Sequence, residues 1–240
     1  MSSELLAGLT SGDLVLLAIA VGAFAQAATG MGFSLVAAPV LIAVHGQGEG
    51  VALVVLLAAC SSLLPLVREG RQARGRDAAR LLVPTLLATP LIAWALAPVD
   101  HRLLALAGGA GVVVGVALLA SGWRSTFLRR PIGAVVTGLT SAALNVVGGV
   151  GGPPVGLYAA NTTWTPAQTR GTLHSFLIVQ NSVTALVVGL VLPSWPMLAA
   201  LVLGTATGLV LAPRLSAAAA RTGILVVSAI GGVALLVGAA

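Results

Sequence analysis

The chain has 240 residues, of which 58% are hydrophobic and only 8% are charged. A soluble domain carries roughly a quarter of its residues as Asp, Glu, Lys or Arg, because polar groups must cover its surface. This composition excludes a water-soluble globular fold and predicts a protein embedded in a lipid bilayer. The formal net charge of +6 does not predict nucleic-acid binding. The basic residues fall in short gaps between apolar stretches, as in the cytoplasmic loops of membrane proteins.

Eight apolar stretches follow one another along the chain, and most are near the ~20 residues that a membrane-spanning helix needs. They cover residues 13–44, 51–67, 78–97, 103–121, 131–160, 171–192, 197–211 and 224–240. The first and the fifth are about half as long again as one span. Each is interrupted by glycine, at TGMGF (29–33) and at VGGVGGPP (147–154). Because glycine and proline end helices, these runs predict helices that stop and restart.

The two interrupted stretches occupy matching places in an internal repeat. Gly22 matches Gly138 and Pro39 matches Pro154, followed in the same order by LAP at 96–98 and 211–213 and by GVALL at 115–119 and 232–236. We therefore predict an all-α polytopic membrane protein with two repeats, 1–122 and 123–240, that form one integral transport domain. Each repeat has a glycine-broken helical hairpin, 13–44 or 131–160, and three transmembrane helices.

The orientation of the repeats depends on whether the broken stretches cross the membrane. If they cross, the repeats are parallel and the arginines divide eight to four between the two sides. If they are re-entrant, the repeats are inverted and only Arg102 lies apart from the other eleven arginines. The positive-inside rule favours this second arrangement. It predicts a multi-pass protein of the bacterial inner membrane with both termini outside. The eleven inside arginines are Arg68, Arg71, Arg74, Arg76, Arg80, Arg124, Arg129, Arg130, Arg170, Arg214 and Arg221.

Two broken hairpins related by inverted symmetry predict a central binding site, because irregular backbone within a membrane must be buried in protein or line a cavity. At each tip a new helix begins, and its unpaired amides and positive dipole end favour an anion. The alternative is that the glycines only allow close helix packing. The predicted tip residues are Gly30, Gly32 and Ser34 in the first repeat and Gly148, Gly149, Gly151 and Gly152 in the second.

Polar side chains inside the apolar stretches complete the predicted site. Thr29 lies within the first tip, and Asn145 lies just before the second. Two adjacent amides near the bilayer centre need hydrogen bonds. Polar residues at helical spacing in and just before the sixth stretch form one helical face, which leads from the cytoplasmic end towards the tips and would attract an anion. The remaining candidates are Gln180 and Asn181 as the adjacent amides, Arg170, His174, Asn181 and Thr184 on the face, and Cys60 and Ser61 in the first repeat.

Each of these candidates has a plainer interpretation. Arg170 could serve only as a topology anchor, His174 as an interhelical hydrogen-bond donor, and Cys60 as a buried packing residue. No Asp or Glu lies at mid-depth in a predicted full span, so a cation site has no ligands. Enzyme chemistry, a metal and a cofactor are not predicted, because His174 and Cys60 have no orienting acid nearby in the sequence. The expected partners are a small anion and the lipid bilayer, and a homodimer is an open alternative.

The segment NVVGGVGGPPVGLY at 145–158 resembles the glycine-rich, Gly-Gly-Pro signature of the sulfite exporter TauE/SafE family of membrane permeases. TGMGFS at 29–34, which leads to Pro39, is similar to that family's N-terminal counterpart but has fewer glycines. The resemblance implies transport of small sulfur-containing anions such as sulfite, sulfoacetate and other sulfonates. A permease or channel for another anion such as a carboxylate, proton-coupled uptake, and a non-transporting scaffold are the alternatives.

Overall fold

The computed structural model describes residues 10–211 and 217–239, and within them the ordered elements are helices. Ala212, Pro213 and Arg214, which entered the repeat and topology arguments, lie outside the described residues. The helical structure of the described residues confirms the predicted all-α membrane architecture. The α-helices are α1 Ser11–Thr29, α2 Phe33–His45, α3 Gln47–Glu69, α4 Gly75–Leu96, α5 His101–Ser121, α6 Pro131–Gly148, α7 Gly152–Ala160, α8 Pro166–Val188, α9 Trp195–Leu211 and α10 Ala217–Ala239. Short 3-10 helices cover Gly70–Gln72 and Phe127–Arg129.

Helix interruptions lie at both glycine runs, and the backbone angles explain why glycine is needed there. Gly30 ends α1 with φ of 89°, and Gly32 precedes α2 with φ of 122°. Gly149 ends α6 with φ of 67°. A side chain strongly disfavours these left-handed conformations, whereas glycine adopts them without a steric penalty.

The two helices of each broken stretch differ in length. α1 and α6 have 19 and 18 residues, but their partners α2 and α7 have only 13 and 9. Among the described residues, six helices are long and apolar enough to cross a membrane, namely α1, α3, α4, α5, α6 and α8. The expected six spans left out the regions of α1 and α6 and included those of α9, which has 17 residues, and of α10, which is not among the six. The difference arises because each interruption lies late in its stretch.

Each broken pair of helices packs against helices from the other half of the chain. In α9, Gly208 faces α1, where an added Cβ would lie 2.7 Å from the Phe24 carbonyl oxygen. In α6, Gly138 faces α4, where an added Cβ would lie 2.6 Å from the Leu81 carbonyl oxygen. Small residues let the backbones approach this closely. The helices of the two halves therefore pack against each other and do not form separate bundles.

The second helix of each broken pair, α2 or α7, also packs against a helix near the matching position of the bundle. The contacts of α7 indicate the depth of the second interruption. Pro39 of α2 packs on Gly231 of α10, and Pro153 of α7 packs on Gly115 of α5. Further along the same contact, Gly108 of α5 faces the Gly148 backbone. These two α5 glycines are 7 and 14 residues beyond the start of the helix, roughly 10 and 20 Å along its axis at 1.5 Å per residue. The interruption between α6 and α7 therefore lies level with the middle of α5.

Two arginine-bearing loops, 70–74 and 122–130, meet the loop that follows α7 at one end of the helix bundle. Thr172 Oγ1 of α8 accepts a hydrogen bond of 2.9 Å from the Arg74 backbone N–H in the α3–α4 loop. Asn161, which follows α7, accepts one of 2.7 Å from the Ser125 N–H. The Arg129 Nε donates to the Asn161 carbonyl oxygen at 3.1 Å. The start of α6 and the end of α7 therefore lie at the same end of the bundle.

The outer surface of the bundle is apolar. Leu87, Leu186 and Leu192 are each at least 69% exposed, and Trp94 and Trp195 are exposed by 80% and 84% near helix ends. Such exposure of large apolar groups is expected where lipid is the solvent, with indoles at the interface.

Two sequence expectations are corrected by the helices themselves. The helix predicted to reach Leu192 ends at Val188, because Gly189 adopts φ of 110°. The thiol of Cys60 is half-buried at the edge of the apolar core, although it was expected to be buried.

Candidate functional site

Asn145 holds the second interruption together. Its Oδ1 accepts a hydrogen bond of 3.1 Å from the Gly151 N–H across the break. Its Nδ2 donates to Asn181 Oδ1 at 3.0 Å and to Thr184 Oγ1 at 2.9 Å on α8. The Asn145 side chain is fully buried, so these bonds satisfy a polar group that would otherwise be costly in an apolar interior. One amide therefore fixes α6, the interruption and α8 relative to one another.

A second pair of side chains fixes the other side of the Gly151 peptide. The Ser141 hydroxyl donates to the Gly151 carbonyl oxygen at 2.6 Å and accepts a bond of 2.9 Å from Gln180 Nε2. A Cβ at Gly151 would lie 2.6 Å from that same nitrogen. A side chain at this position would displace the Gln180 amide and its hydrogen bond to Ser141.

Gln26 plays the same part at the first interruption, and the sequence analysis did not identify it. Its Oε1 accepts the Phe33 N–H at 3.3 Å across the break. Its Nε2 lies 2.7 Å from the hydroxyl oxygens of both Ser61 and Ser62 on α3. A signal was present in the sequence, since Gln26 precedes Gly30 by four residues, just as Asn145 precedes Gly149.

A small cavity lies between the two interruptions, and we call it the tip cavity. Its volume of about 10 Å³ leaves room for about one water molecule. Both halves of the chain line it, and Asp and Glu are not among the lining residues. The lining residues are Gln26, Met31, Gly32, Ser34 and Leu35 from the first half and Asn145, Gly151, Gly152, Pro153, Leu177 and Asn181 from the second.

The two helix starts offer unequal sets of hydrogen-bond donors to the tip cavity. Ser34 and Leu35 lie in the first turn of α2, where backbone N–H groups have no partner within the helix. The first turn of α7 contains Pro153 and Pro154, which have no N–H to donate. Asn181 Nδ2 has no hydrogen-bond acceptor within the described part of the chain. The first interruption therefore supplies more backbone donors, and the second supplies a side-chain amide.

A larger open cavity of about 410 Å³, which we call the vestibule, lies at the end of the bundle where the arginine-bearing loops meet. Arg124 lines it and makes no ion pair with another described residue. Arg170 also lines it, but its guanidinium is paired with Glu69, with an Nη2–Oε1 distance of 2.7 Å. The other lining residues are Thr29, Met31, Gly156, Ala159, Ala160, Thr162, Trp164, Pro166, Thr169 and Leu173.

The remaining predicted site residues line neither cavity. Ser61 and Gln180 hold the side chains that clamp the interruptions. Three glycines pack against neighbouring helices: Gly30 on Arg170, Gly148 on Gly108 and Gly149 on Val54.

His174 is fully buried, and neither of its ring nitrogens has a hydrogen-bond partner among the described residues. His174 and Cys60 line neither cavity. Of the predicted helical face, His174 thus lies outside the cavities, while Arg170 lines the vestibule and Asn181 lines the tip cavity.

The comparison with protein families agrees with the architecture. The family described as Sulfite exporter TauE/SafE matches residues 14–237, which include every helix interruption and cavity described above. No curated protein and no solved structure matches the chain. This match confirms the resemblance carried by the glycine-rich segments, and because it covers nearly the whole chain, the protein belongs to the sulfite exporter TauE/SafE family of membrane transporters.

Proposed function

We propose that the protein exports small sulfur-containing oxyanions, such as sulfite, sulfoacetate or related sulfonates, through a site at the tip cavity. One observation carries this proposal: two helix starts face one small cavity that is lined by amides and a hydroxyl, with Asp and Glu not among its lining residues. Amide and hydroxyl donors favour an oxyanion. The family match supplies the sulfur chemistry.

The described conformation is an occluded one in this proposal. A tip cavity of about 10 Å³ cannot hold an ion with several oxygen atoms, so the site must widen during transport. The glycines at both interruptions give the backbone freedom to rotate there. Alternation between a closed and an open tip cavity is the movement that transport requires.

The loop contacts support inverted repeats with re-entrant hairpins. If the segment from α6 to α7 crossed the membrane, the loop at 161–165 would lie opposite the loops at 70–74 and 122–130. Asn161 instead contacts Ser125 and Arg129, and Arg170 pairs with Glu69. This arrangement leaves Arg102 apart from the other arginines and makes the arginine-rich end cytoplasmic. The vestibule would then face the cytoplasm.

Cysteine labelling tests this topology. Single cysteines at Ser2, Gln72 and Ser125, each in a Cys60→Ser background, should react with an impermeant reagent added to intact cells only at Ser2. The expected pattern follows because both termini lie outside while the α3–α4 and α5–α6 loops lie inside. Outside labelling of Gln72→Cys would contradict the inverted arrangement, and labelling after permeabilisation controls for access.

A binding screen tests the substrate class on purified protein. Sulfite and sulfoacetate should bind more tightly than acetate, because a sulfur oxyanion offers a third oxygen to the donors at the tip cavity. Taurine should bind more weakly than sulfoacetate, since neither cavity has an acidic lining residue to pair with its ammonium group. Asn181→Ala should weaken sulfite binding by about 1 to 3 kcal/mol, typical of a lost hydrogen bond to a charged group. Tighter binding of acetate than of sulfite or sulfoacetate would favour the carboxylate alternative.

A further inference from the structure

Met31 is the lining residue that the tip cavity and the vestibule have in common. On one side of it lies a volume of about 10 Å³, and on the other lies an open volume of about 410 Å³. An ion that passes from the vestibule to the tip cavity by the shortest route must therefore pass Met31. The residue was not identified as a site residue from the sequence, because a methionine in an apolar stretch is expected to be part of the core.

The Met31 side chain is seated on a glycine of the other half of the chain. A Cβ added to Gly156 of α7 would lie 2.6 Å from Met31 Cε, and the next neighbour, Leu119 Cδ2, is 3.5 Å away. The absence of a side chain at Gly156 thus provides the space that the thioether occupies. A methionine side chain is unbranched and has three rotatable bonds, so it can leave such a seat without moving a helix.

The backbone on both sides of Met31 is also suited to movement. Gly30 and Gly32 flank it with φ of 89° and 122°. The Thr29 hydroxyl lies 2.6 Å from the Met31 carbonyl oxygen and bridges this short segment. Residues that absorb large changes of φ and ψ act as hinges.

We propose that Met31, seated on Gly156, is the gate between the vestibule and the tip cavity. The gate rests on the proposed function, since it controls access to the same site. In the closed position the thioether separates the two cavities, and an ion reaches the tips when the side chain leaves Gly156. Because the gate contains no charged group, it restricts passage by size and leaves the selection of anions to the tips.

Thiol modification measures access through the gate without a transport assay. Ser34→Cys, in a Cys60→Ser background, places a thiol in the tip cavity, and a small anionic methanethiosulfonate is added to the protein in lipid nanodiscs. Both faces are then accessible, so the result does not depend on topology. Met31→Ala should raise the modification rate by about tenfold or more, which corresponds to a barrier lower by about 1.4 kcal/mol. Met31→Leu, which is close to methionine in volume, should leave the rate near that of the parent.

Thr162→Cys in the vestibule is the matched control. Its thiol lies before the gate, so its modification rate should be the same with Met31, Met31→Ala and Met31→Leu. An equal rate at Ser34→Cys with and without Met31→Ala would overturn the gate. A rate that rises equally at both thiols would also overturn it, because it would report general loosening.

Gly156→Ala provides an independent check of the contact. The added methyl group displaces the thioether, so the modification rate at Ser34→Cys should rise, and adding Gly156→Ala to Met31→Ala should produce no further change. Additive effects of the two substitutions would contradict a shared seat. Because the assay measures access of a reagent to a thiol and not the binding of sulfite, a Met31-dependent rate together with absent sulfite binding would reject the proposed substrate and retain the gate.

Discussion

Asn145→Ala is expected to abolish substrate binding and to lower the free energy of unfolding by about 2 to 4 kcal/mol, because several buried polar groups lose their partners. The Gly151 N–H loses its side-chain acceptor across the interruption, and Asn181 and Thr184 lose their donor. The second tip then has no fixed geometry. Thermal unfolding in detergent and equilibrium binding of sulfite measure the two effects.

Asn161→Ala is the matched control for this substitution. Asn161 is 2% exposed and makes comparable bonds, accepting from Ser125 N–H at 2.7 Å and donating to the Leu157 carbonyl oxygen at 2.8 Å. It lines neither cavity. The control should lower stability while sulfite still binds to the folded protein. Equal losses of binding in both variants would mean that Asn145 acts only through the stability of the fold.

The positions of the helix interruptions could be predicted from the sequence, because local backbone chemistry determines them. Gly30, Gly32 and Gly149 adopt φ values that other residues avoid. The ends of the two shorter helices follow from the sequence as well: α2 ends at His45 before Gly46, and α7 ends at Ala160 before Asn161, each within one residue of the end of its predicted stretch. The helices against which α2 and α7 pack could not be predicted in the same way, because those contacts join residues far apart in the chain.

The donors of the site were predictable only in part. Asn145 and Asn181 were identified because polar amides are costly in an apolar stretch. Gln26 is equally polar, but it lies 119 residues before Asn145, whereas the repeat matches are separated by 115 to 117 residues. The two amides therefore do not align in the repeat. Their shared position is visible only when each is counted from the glycine that ends its helix, four residues later.

Long-range partners could not be predicted from the sequence. Arg170 was expected to attract anions, but its pairing with Glu69, 101 residues away, neutralises much of its charge. His174 was assigned to the same helical face as Asn181. At about 100° per residue it is turned about 40° from Arg170, and it is buried outside both cavities. Helical spacing alone therefore does not show which residues of a face line a cavity.

Voltage dependence is the expected result with the largest effect on transport itself. Moving one negative charge outward across an inside-negative membrane releases about 2.3 kcal/mol per 100 mV, equivalent to roughly a fiftyfold gradient. Export of an anion therefore needs no coupling ion, whereas uptake against this potential does. Neither cavity has an acidic lining residue to carry a proton. We therefore expect electrogenic efflux from the vestibule side.

Proteoliposomes loaded with sulfite on the vestibule side, with an imposed potential negative on that side, measure this effect. Efflux should accelerate with voltage and continue when the proton gradient is collapsed. His174→Gln should preserve the voltage response, because the imidazole lies outside both cavities, whereas Asn181→Ala should reduce efflux at every voltage. Efflux that ignores voltage and stops when the proton gradient is removed would contradict this mechanism and favour proton-coupled transport. In that case a titratable group outside the two cavities must carry the proton, and a His174→Gln variant that had lost proton dependence would identify it.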